Sequence, residues 1–311
     1  MILLCGIPSE SPLRLVMEAA EKLGVPFLLF NQRQAGYSDI HLEIKKGKVR
    51  GEIRIQGADW SLRKFSGVYL RLMDSQDLPE NKRHDRALLE TRDIYSASYK
   101  SQWFHRALTD WIEISDCRVM NRPRAMSSNI SKPYQSQFIN KAGFRIPITL
   151  ITNEPEEARN FLRVHRRVIY KSISSERSVV KMLNGYKVNE LERIRYLPTQ
   201  FQAFVPGVNV RVHIVGDAVF ATEISTEAVD YRYTSDEQNG IKMASIDLPP
   251  EILARCLSLS QMLDLPLCGI DLKRTPEGDY YCFEVNPSPA YSFYQEFTGQ
   301  DIATAIVKYL M

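Results

Sequence analysis

Residues 269–289 read GIDLKRTPEGDYYCFEVNPSP, two apolar runs joined by a short polar loop. The second run, YYCFEVN, admits a carboxylate at Glu284 and an amide at Asn286, then stops on Pro287 and Pro289. Alternation on both sides of PEGD predicts a β-hairpin. Counting outward from that loop, Thr275 faces Tyr280, Lys273 faces Cys282 and Asp271 faces Glu284. Side chains two apart on a strand share a face, so Asn286 joins both carboxylates on one side of the sheet. Opposed residues hold their Cβ atoms about 4.5–5.5 Å apart. Two ionised carboxylates at that spacing either bind a proton or take up a cation. Oxygens from Asp, Glu and Asn are hard donors that suit Mg²⁺, which keeps waters and shares its other positions with substrate phosphates. Asp271, Glu284 and Asn286 therefore form a candidate metal site for a nucleotide. An edge carboxylate paired with Lys273 or Arg274 explains any one of the three, but not the trio on one face. A one-residue bulge inside the hairpin would break the count.

Phosphates also need cations. Lys132 in ISKPY and Lys171 in VIYKSI are candidates, the latter ending a strand before the serine-rich loop SISSERS. Hydroxyl and backbone N–H groups of such a loop can hold phosphate oxygens. Arg211 in NVRVHIVGD alternates with Val210 and Val212, so it projects from the opposite face to its apolar neighbours. Its guanidinium can clamp a phosphate or a carboxylate bidentately. Taken singly, each is more often a solvated surface cation.

Upstream, ILLCGI, SESPLRLVMEAAEKLG and VPFLLFN read as strand, helix and strand, a βαβ unit with Ser9 or Ser11 as cap and Gly24 as stop. No GxGxxG follows the first strand, so the dinucleotide fingerprint is absent. IHLEIKKGKVRGEIRIQ predicts a hairpin turning at KKGK, and SGVYLRL another strand. Helical spacing of Leu88, Leu89, Ile94 and Tyr95 predicts a helix from roughly residue 85 to 111. NRPRAMSSNISKP is polar and turn-rich and marks a boundary. Beyond it, PYQSQFINKAG, NEPEEARNFLR, PEILARCLSLSQMLDL and TGQDIATAIVKYL carry helical patterns. GFRIPITLIT, VIYKSI, RSVVKML, TQFQAFVPG and NVRVHIVGDAVFATEIS carry strand patterns. The whole predicts a mixed α/β (α+β) protein of three parts: an N-terminal domain 1–120, a central subdomain 121–205 and a C-terminal subdomain 206–311.

Composition narrows the class. The 311 residues are 44% hydrophobic and 25% charged, and 40 basic against 37 acidic residues leave a net charge of +3. That balance argues against a nucleic-acid partner. The five cysteines are scattered, with no CxxC, which argues against structural zinc and for reduced thiols in the cytoplasm. MILLCG lacks the charged start of a signal peptide and reads as a first strand. No apolar run approaches the roughly 18 residues that span a bilayer, so no membrane partner is expected.

In order, NISKPYQSQFINKAGFRIPITLITNEPEEARNFL, VIYKSISSERSVV, QFQAFVPGVNVRVHIVGD, GIDLKRTPEGDYYCFEVNPSP and TGQDIATAIVKYL resemble the ATP-grasp superfamily, and within it the RimK-like carboxylate–amine ligases. The first ~115 residues resemble the family's preceding α/β domain in pattern only. The resemblance implies an ATP-grasp fold with ATP between two mixed sheets. Lys132 and Lys171 would contact the phosphates, and the backbone of Gln202, Ala203, Phe204 and Val205 would read adenine as a hinge. Asp271, Glu284 and Asn286 would hold one or two Mg²⁺, with Mn²⁺ as a substitute. Arg211 would stabilise the transferring phosphoryl group. The implied reaction activates a carboxylate as an acyl phosphate, which an amine or hydroxyl then attacks. Positioning and charge neutralisation suffice for such chemistry. The sequence departs from the family in lacking glycines after Lys171, in Ala203 where an acid is common, and in Asn209 where Asp is frequent.

TEISTEAVDYRYTSD resembles the corresponding stretch of microviridin- or graspetide-type ligases, which crosslink side chains of a precursor peptide, and there Arg232 would bind a substrate carboxylate. An amide ligase acting on a small-molecule or peptide carboxylate is the leading expectation, and a leader-guided peptide cyclase the alternative. A phosphotransferase and a non-catalytic nucleotide-binding protein are the readings from other classes. The intact carboxylate pair argues against the last.

Overall fold

The computed structural model describes residues 1–79, 97–173, 180–184, 188, 190–225 and 241–311. Near the N-terminus, β1 (Ile2–Gly6), α1 (Ser11–Lys22) and β2 (Phe27–Asn31) form the expected unit, with β1 and β2 parallel. β6 (Gly67–Leu70) pairs with β1 on its other side and β7 (Arg118–Met120) lies beyond, giving the order β2-β1-β6-β7. Neither Ser9 nor Ser11 caps α1. Glu10 holds the cap position without a capping bond, because its carboxylate is paired with Arg71.

Between these strands, β3 (Asp39–Lys45), β4 (Lys48–Ile55) and β5 (Ala58–Ser61) make an antiparallel meander. Its first turn is Lys46-Gly47, both left-handed at φ 50° and 73°, the conformation that two-residue hairpin turns require. Helix α2 (Ala97–Ile114) buries Phe104, Leu108, Trp111 and Ile112 against Phe30, Val68 and Ile53. Leu88, Leu89, Ile94 and Tyr95 lie outside the described residues.

The boundary segment folds into α3 (Pro123–Met126), followed by α4 (Lys132–Lys141). Then β8 (Thr149–Thr152), α5 (Pro155–His165), β9 (Val168–Ser172), β10 (Lys181–Met182) and β11 (Thr199–Ala203) build an antiparallel sheet in the order β10-β9-β11-β8. Its own small core is Ala158, Val168, Leu183, Leu191, Ile194 and Phe201.

The last third is a five-stranded antiparallel sheet, β14-β13-β12-β15-β16. Its strands are β12 (Val208–Val215), β13 (Ala218–Ser225), β14 (Lys242–Ile246), β15 (Leu267–Arg274) and β16 (Tyr280–Asn286). Helix α6 (Pro250–Met262) covers one face through Ile252, Cys256 and Leu259. Helices α7 (Ser292–Thr298) and α8 (Ile302–Leu310) close the chain. Ile302, Ile306 and Leu310 of α8 pack with Ile2, Leu4 and Leu13, so the C-terminal helix shares a core with the first strand.

The decisive hairpin is shorter at its loop than counted. Thr275 N–H bonds to Asp279 O, and Lys273 pairs with Tyr281 rather than Cys282. The register then shifts by one between Leu272 and Asp271, leaving Phe283 as the extra residue. Asp271 consequently faces Glu284 as predicted. The loop error and the bulge cancel.

Asn121 ties the layers together. Almost wholly buried, it donates from Nδ2 to Leu267 O and Pro287 O at 2.6 Å each and accepts from Leu267 N–H at 2.9 Å. Asn121→Ala removes three bonds and strands their partners, a cost of about 3 kcal/mol. Urea denaturation should show that loss, and an unchanged midpoint would refute it.

Candidate active site

Strand pairing across the C-terminal sheet aligns Ser245, Thr222, Arg211, Asp271 and Glu284 as direct neighbours on five consecutive strands. Directly paired residues share a face, so a polar row crosses the whole sheet. Arg211 is 6% exposed, unlike a solvated strand arginine, and its Nη1 donates to Asp271 Oδ1 at 2.5 Å. Glu284 receives two lysines from other elements. Lys132 Nζ, at the start of α4, is 2.6 Å from Oε1, and Lys171 Nζ, on β9, is 3.7 Å from Oε2. Lys171 is 9% exposed, so it is no surface decoration. Ion pairs this deep gain little net stability once desolvation is counted. Three cations gathered on two carboxylates suit a polyanion guest better than they serve the fold.

Asn286 faces Gly269 one step further along the same face as Glu284. Its Oδ1 accepts from Ser288 N–H at 2.9 Å, a turn that ends β16 and leaves the oxygen a second lone pair. Among the described residues no group of three or more His, Cys, Asp or Glu is placed to hold a metal. With Asn286 beside the two carboxylates, the candidate set offers an amide oxygen as a third donor. Two opposed carboxylates plus that oxygen fit a hard divalent cation such as Mg²⁺.

A cleft lies beside the row, lined by Lys171, Gln202, Phe204, Val205, Asp271 and Glu284 among others. Lys132 and Gln202 line an adjoining groove. The predicted hinge sits where β11 leaves its sheet. Gln202 is buried and donates to Thr149 Oγ1 at 3.0 Å, Ala203 N–H bonds to Ile148 O and Phe204 N–H to Arg167 O, both at 2.9 Å. The Phe204 ring lies between cations, with Arg167 Cζ 3.8 Å and Lys273 Nζ 5.4 Å from its centroid. Burial, and then the Arg167 charge, hold the Lys273 ammonium below its ordinary pKa. Ala203 does not line the cleft. Arg232 and most of the loop after Lys171 lie outside the described residues.

Sequence reasoning missed the supports. Gln135 of α4, 1% exposed, donates to Val285 O at 2.7 Å and accepts from Val285 N–H at 2.9 Å. It thereby stands in for a strand along the outer side of β16 and holds Glu284 in line. At Gly269, a Cβ would fall 2.0 Å from Arg211 Nη2, so the glycine makes room for the guanidinium. A glycine inside an apolar strand, as in LCGID, is the signal that marks such a close approach.

The RimK-like ATP-grasp domain model matches residues 131–310. A probable alpha-L-glutamate ligase of Hydrogenovibrio crunogenus is 24% identical over 224 residues, 67% of this chain and 72% of that protein. A Chryseobacterium gregarium RiPP-associated ATP-grasp ligase, solved with ADP and a leader and core peptide, superposes with a TM-score of 0.80 at 23% identity, covering 99% of this chain and 96% of that one. The ATP-grasp ligase PsnB, solved with minimal precursor, Mg and ADP, gives 0.79 at 25% identity over 99% and 96%.

Gly269→Ala tests the packing of the row. The new Cβ would overlap Nη2, Cζ and Nε of a buried, ion-paired guanidinium, so forcing that side chain aside should cost about 1–3 kcal/mol and leave a folded protein. Displacing it should nonetheless lower ADP formation about 100-fold. Thermal denaturation and an ADP-release assay read the two effects, and wild-type turnover would show that the position of Arg211 does not matter.

Proposed function

The chain belongs to the RimK-like ATP-grasp family of ATP-dependent ligases, and we propose that it joins a peptide carboxylate to an amine or hydroxyl through an acyl phosphate. The observation that carries this reading is the row itself: Arg211, Asp271 and Glu284 side by side, with Lys132 and Lys171 converging on Glu284 at the mouth of the cleft. In this reading Phe204 and Val205 lie along the base of ATP, and the two lysines turn from Glu284 to the phosphates. Asp271, Glu284 and Asn286 would hold Mg²⁺, which would supply charge neutralisation at the phosphates. Arg211 steadies the charge that develops on the transferring phosphoryl group. A substrate carboxylate oxygen bonds to the γ-phosphorus as the bond to ADP breaks. The acceptor nitrogen or oxygen then bonds to the acyl carbon, loses its proton and expels phosphate.

A peptide is favoured as substrate because the superposition on peptide-bound ligases covers 99% of the chain, whereas the family model begins at residue 131. The N-terminal domain is thus shared with enzymes solved with precursor peptides. Addition of a free amino acid is the second reading, supported by the relatives named as glutamate ligases.

Hydroxylamine, ATP and Mg²⁺ supplied with either L-glutamate or short acidic peptides separate these readings. A hydroxamate on the peptides supports the first, one on glutamate alone the second. A stable phosphorylated product without hydroxamate overturns both in favour of a phosphotransferase. Removing divalent metal with EDTA should abolish the signal and excess Mg²⁺ restore it. Glu284→Gln should keep the thermal midpoint and lose turnover about 100-fold or more, as expected when a group acting on developing charge is neutralised. A wild-type rate in that variant would sink the metal assignment.

A further inference from the structure

We infer that His213, buttressed by Tyr294, is a positioning residue that fixes the plane of the Arg211 guanidinium. The inference rests on the role proposed for Arg211 above. His213 lies two residues beyond Arg211 on β12, hence on the same face, paired with Gly269 and Phe220 on the neighbouring strands. It is 0% exposed. Arg211 Nε donates to His213 Nε2 at 3.4 Å, while Arg211 Nη1 is held by Asp271 at 2.5 Å. A planar guanidinium held at one nitrogen pivots about that contact, and a second contact at Nε fixes its plane.

The surroundings leave the histidine little freedom. Its ring meets Tyr294 of α7 edge-on, with centroids 4.8 Å apart and planes at 65°. The Arg211 Cζ lies 5.8 Å from that same tyrosine ring. Opposite, Nη2 occupies the space that a Cβ at residue 269 would fill. Acceptance at Nε2 requires the neutral ring with its proton on Nδ1, since a charged imidazole presents an N–H to the arginine N–H. Burial, reinforced by the Arg211 charge, holds the His213 pKa well below its ordinary value, which keeps the ring in that form. Its Nδ1 finds no hydrogen-bond partner among the described residues. A buried unpaired polar atom is a burden that a phenylalanine would not carry at this site. The imidazole is accounted for by what its other nitrogen does for Arg211.

The test needs no knowledge of the carboxylate substrate. MgADP with aluminium fluoride mimics the transferring phosphoryl group, and its affinity is compared with that of MgADP alone. His213→Phe should weaken binding of the aluminium fluoride complex about tenfold, the scale at which supporting contacts of a site act, and leave MgADP affinity unchanged. His213→Gln, whose amide oxygen can accept from Arg211 Nε, should restore most of the loss. Thermal midpoints of the free variants confirm that each is folded. Wild-type affinity in a folded His213→Phe protein overturns the inference. So does a glutamine variant as weak as the phenylalanine one, because packing alone would then account for the effect. Arg211→Ala separates the two levels. If it binds the aluminium fluoride complex as the wild type does, the role of Arg211 itself fails. If it loses that binding while His213→Phe keeps it, only the positioning role fails.

Discussion

The opposition of Asp271 and Glu284 on adjacent strands is the constraint around which the rest of the structure is arranged. Two carboxylates paired across a sheet repel, and in a half-buried setting water does not screen them well. The chain answers with cations from three separate places: Arg211 from the neighbouring strand, Lys132 from the start of a helix, and Lys171 from the other sheet. Because Lys132 and Lys171 lie outside the C-terminal sheet, the two sheets meet where the charges meet. The cleft lies at that convergence, and Lys171, Asp271 and Glu284 line its walls.

Such an arrangement places unusual demands on an ordinary antiparallel sheet. The row Ser245, Thr222, Arg211, Asp271, Glu284 replaces what would otherwise be a stripe of valines, so the apolar core must lie on the other face. It does: Val210, Val212, Ile270, Leu272 and Val285 all pack beneath α6. The alternation of β12 and β15 is thus a division between a dry face that holds the sheet and a polar face that carries the charged row. Gln300 closes the far end of the row, accepting from Thr222 Oγ1 at 3.0 Å and donating to Ser245 Oγ at 2.9 Å.

Much of this was legible because strand alternation is a local property. The opposition of Asp271 and Glu284, the face of Arg211 and the hairpin at Lys46-Gly47 could be read from runs a few residues long. What escaped depends on distance through space. Nothing in KPYQSQ says that Gln135 will pair with Val285, 150 residues away, in place of a missing strand. The cap of α1 was misread for the same reason, since Glu10 is claimed by Arg71 from another strand. The hairpin register was reached through two compensating errors. A loop one residue shorter than PEGD shifts the pairing, and the bulge at Phe283 shifts it back. Bulges leave almost no trace in composition, so a count across one cannot detect it.

The segment after β16 is held in place by the N-terminal part of the chain. Pro287 and Pro289 cannot donate to a ladder, so the chain beyond Asn286 needs holding by other means. Asn121 bonds to Pro287 O at 2.6 Å, and Arg71 Nη1 to Pro289 O at 3.1 Å. Tyr291 OH reaches Pro12 O at 2.7 Å. Every one of these partners lies in the first 121 residues. Arg71 is 8% exposed and anchored by Glu10, so it is a stiff strut rather than a loose contact. Strand β16 is therefore clamped at both ends, by its bulged hairpin on one side and by the N-terminal sheet on the other.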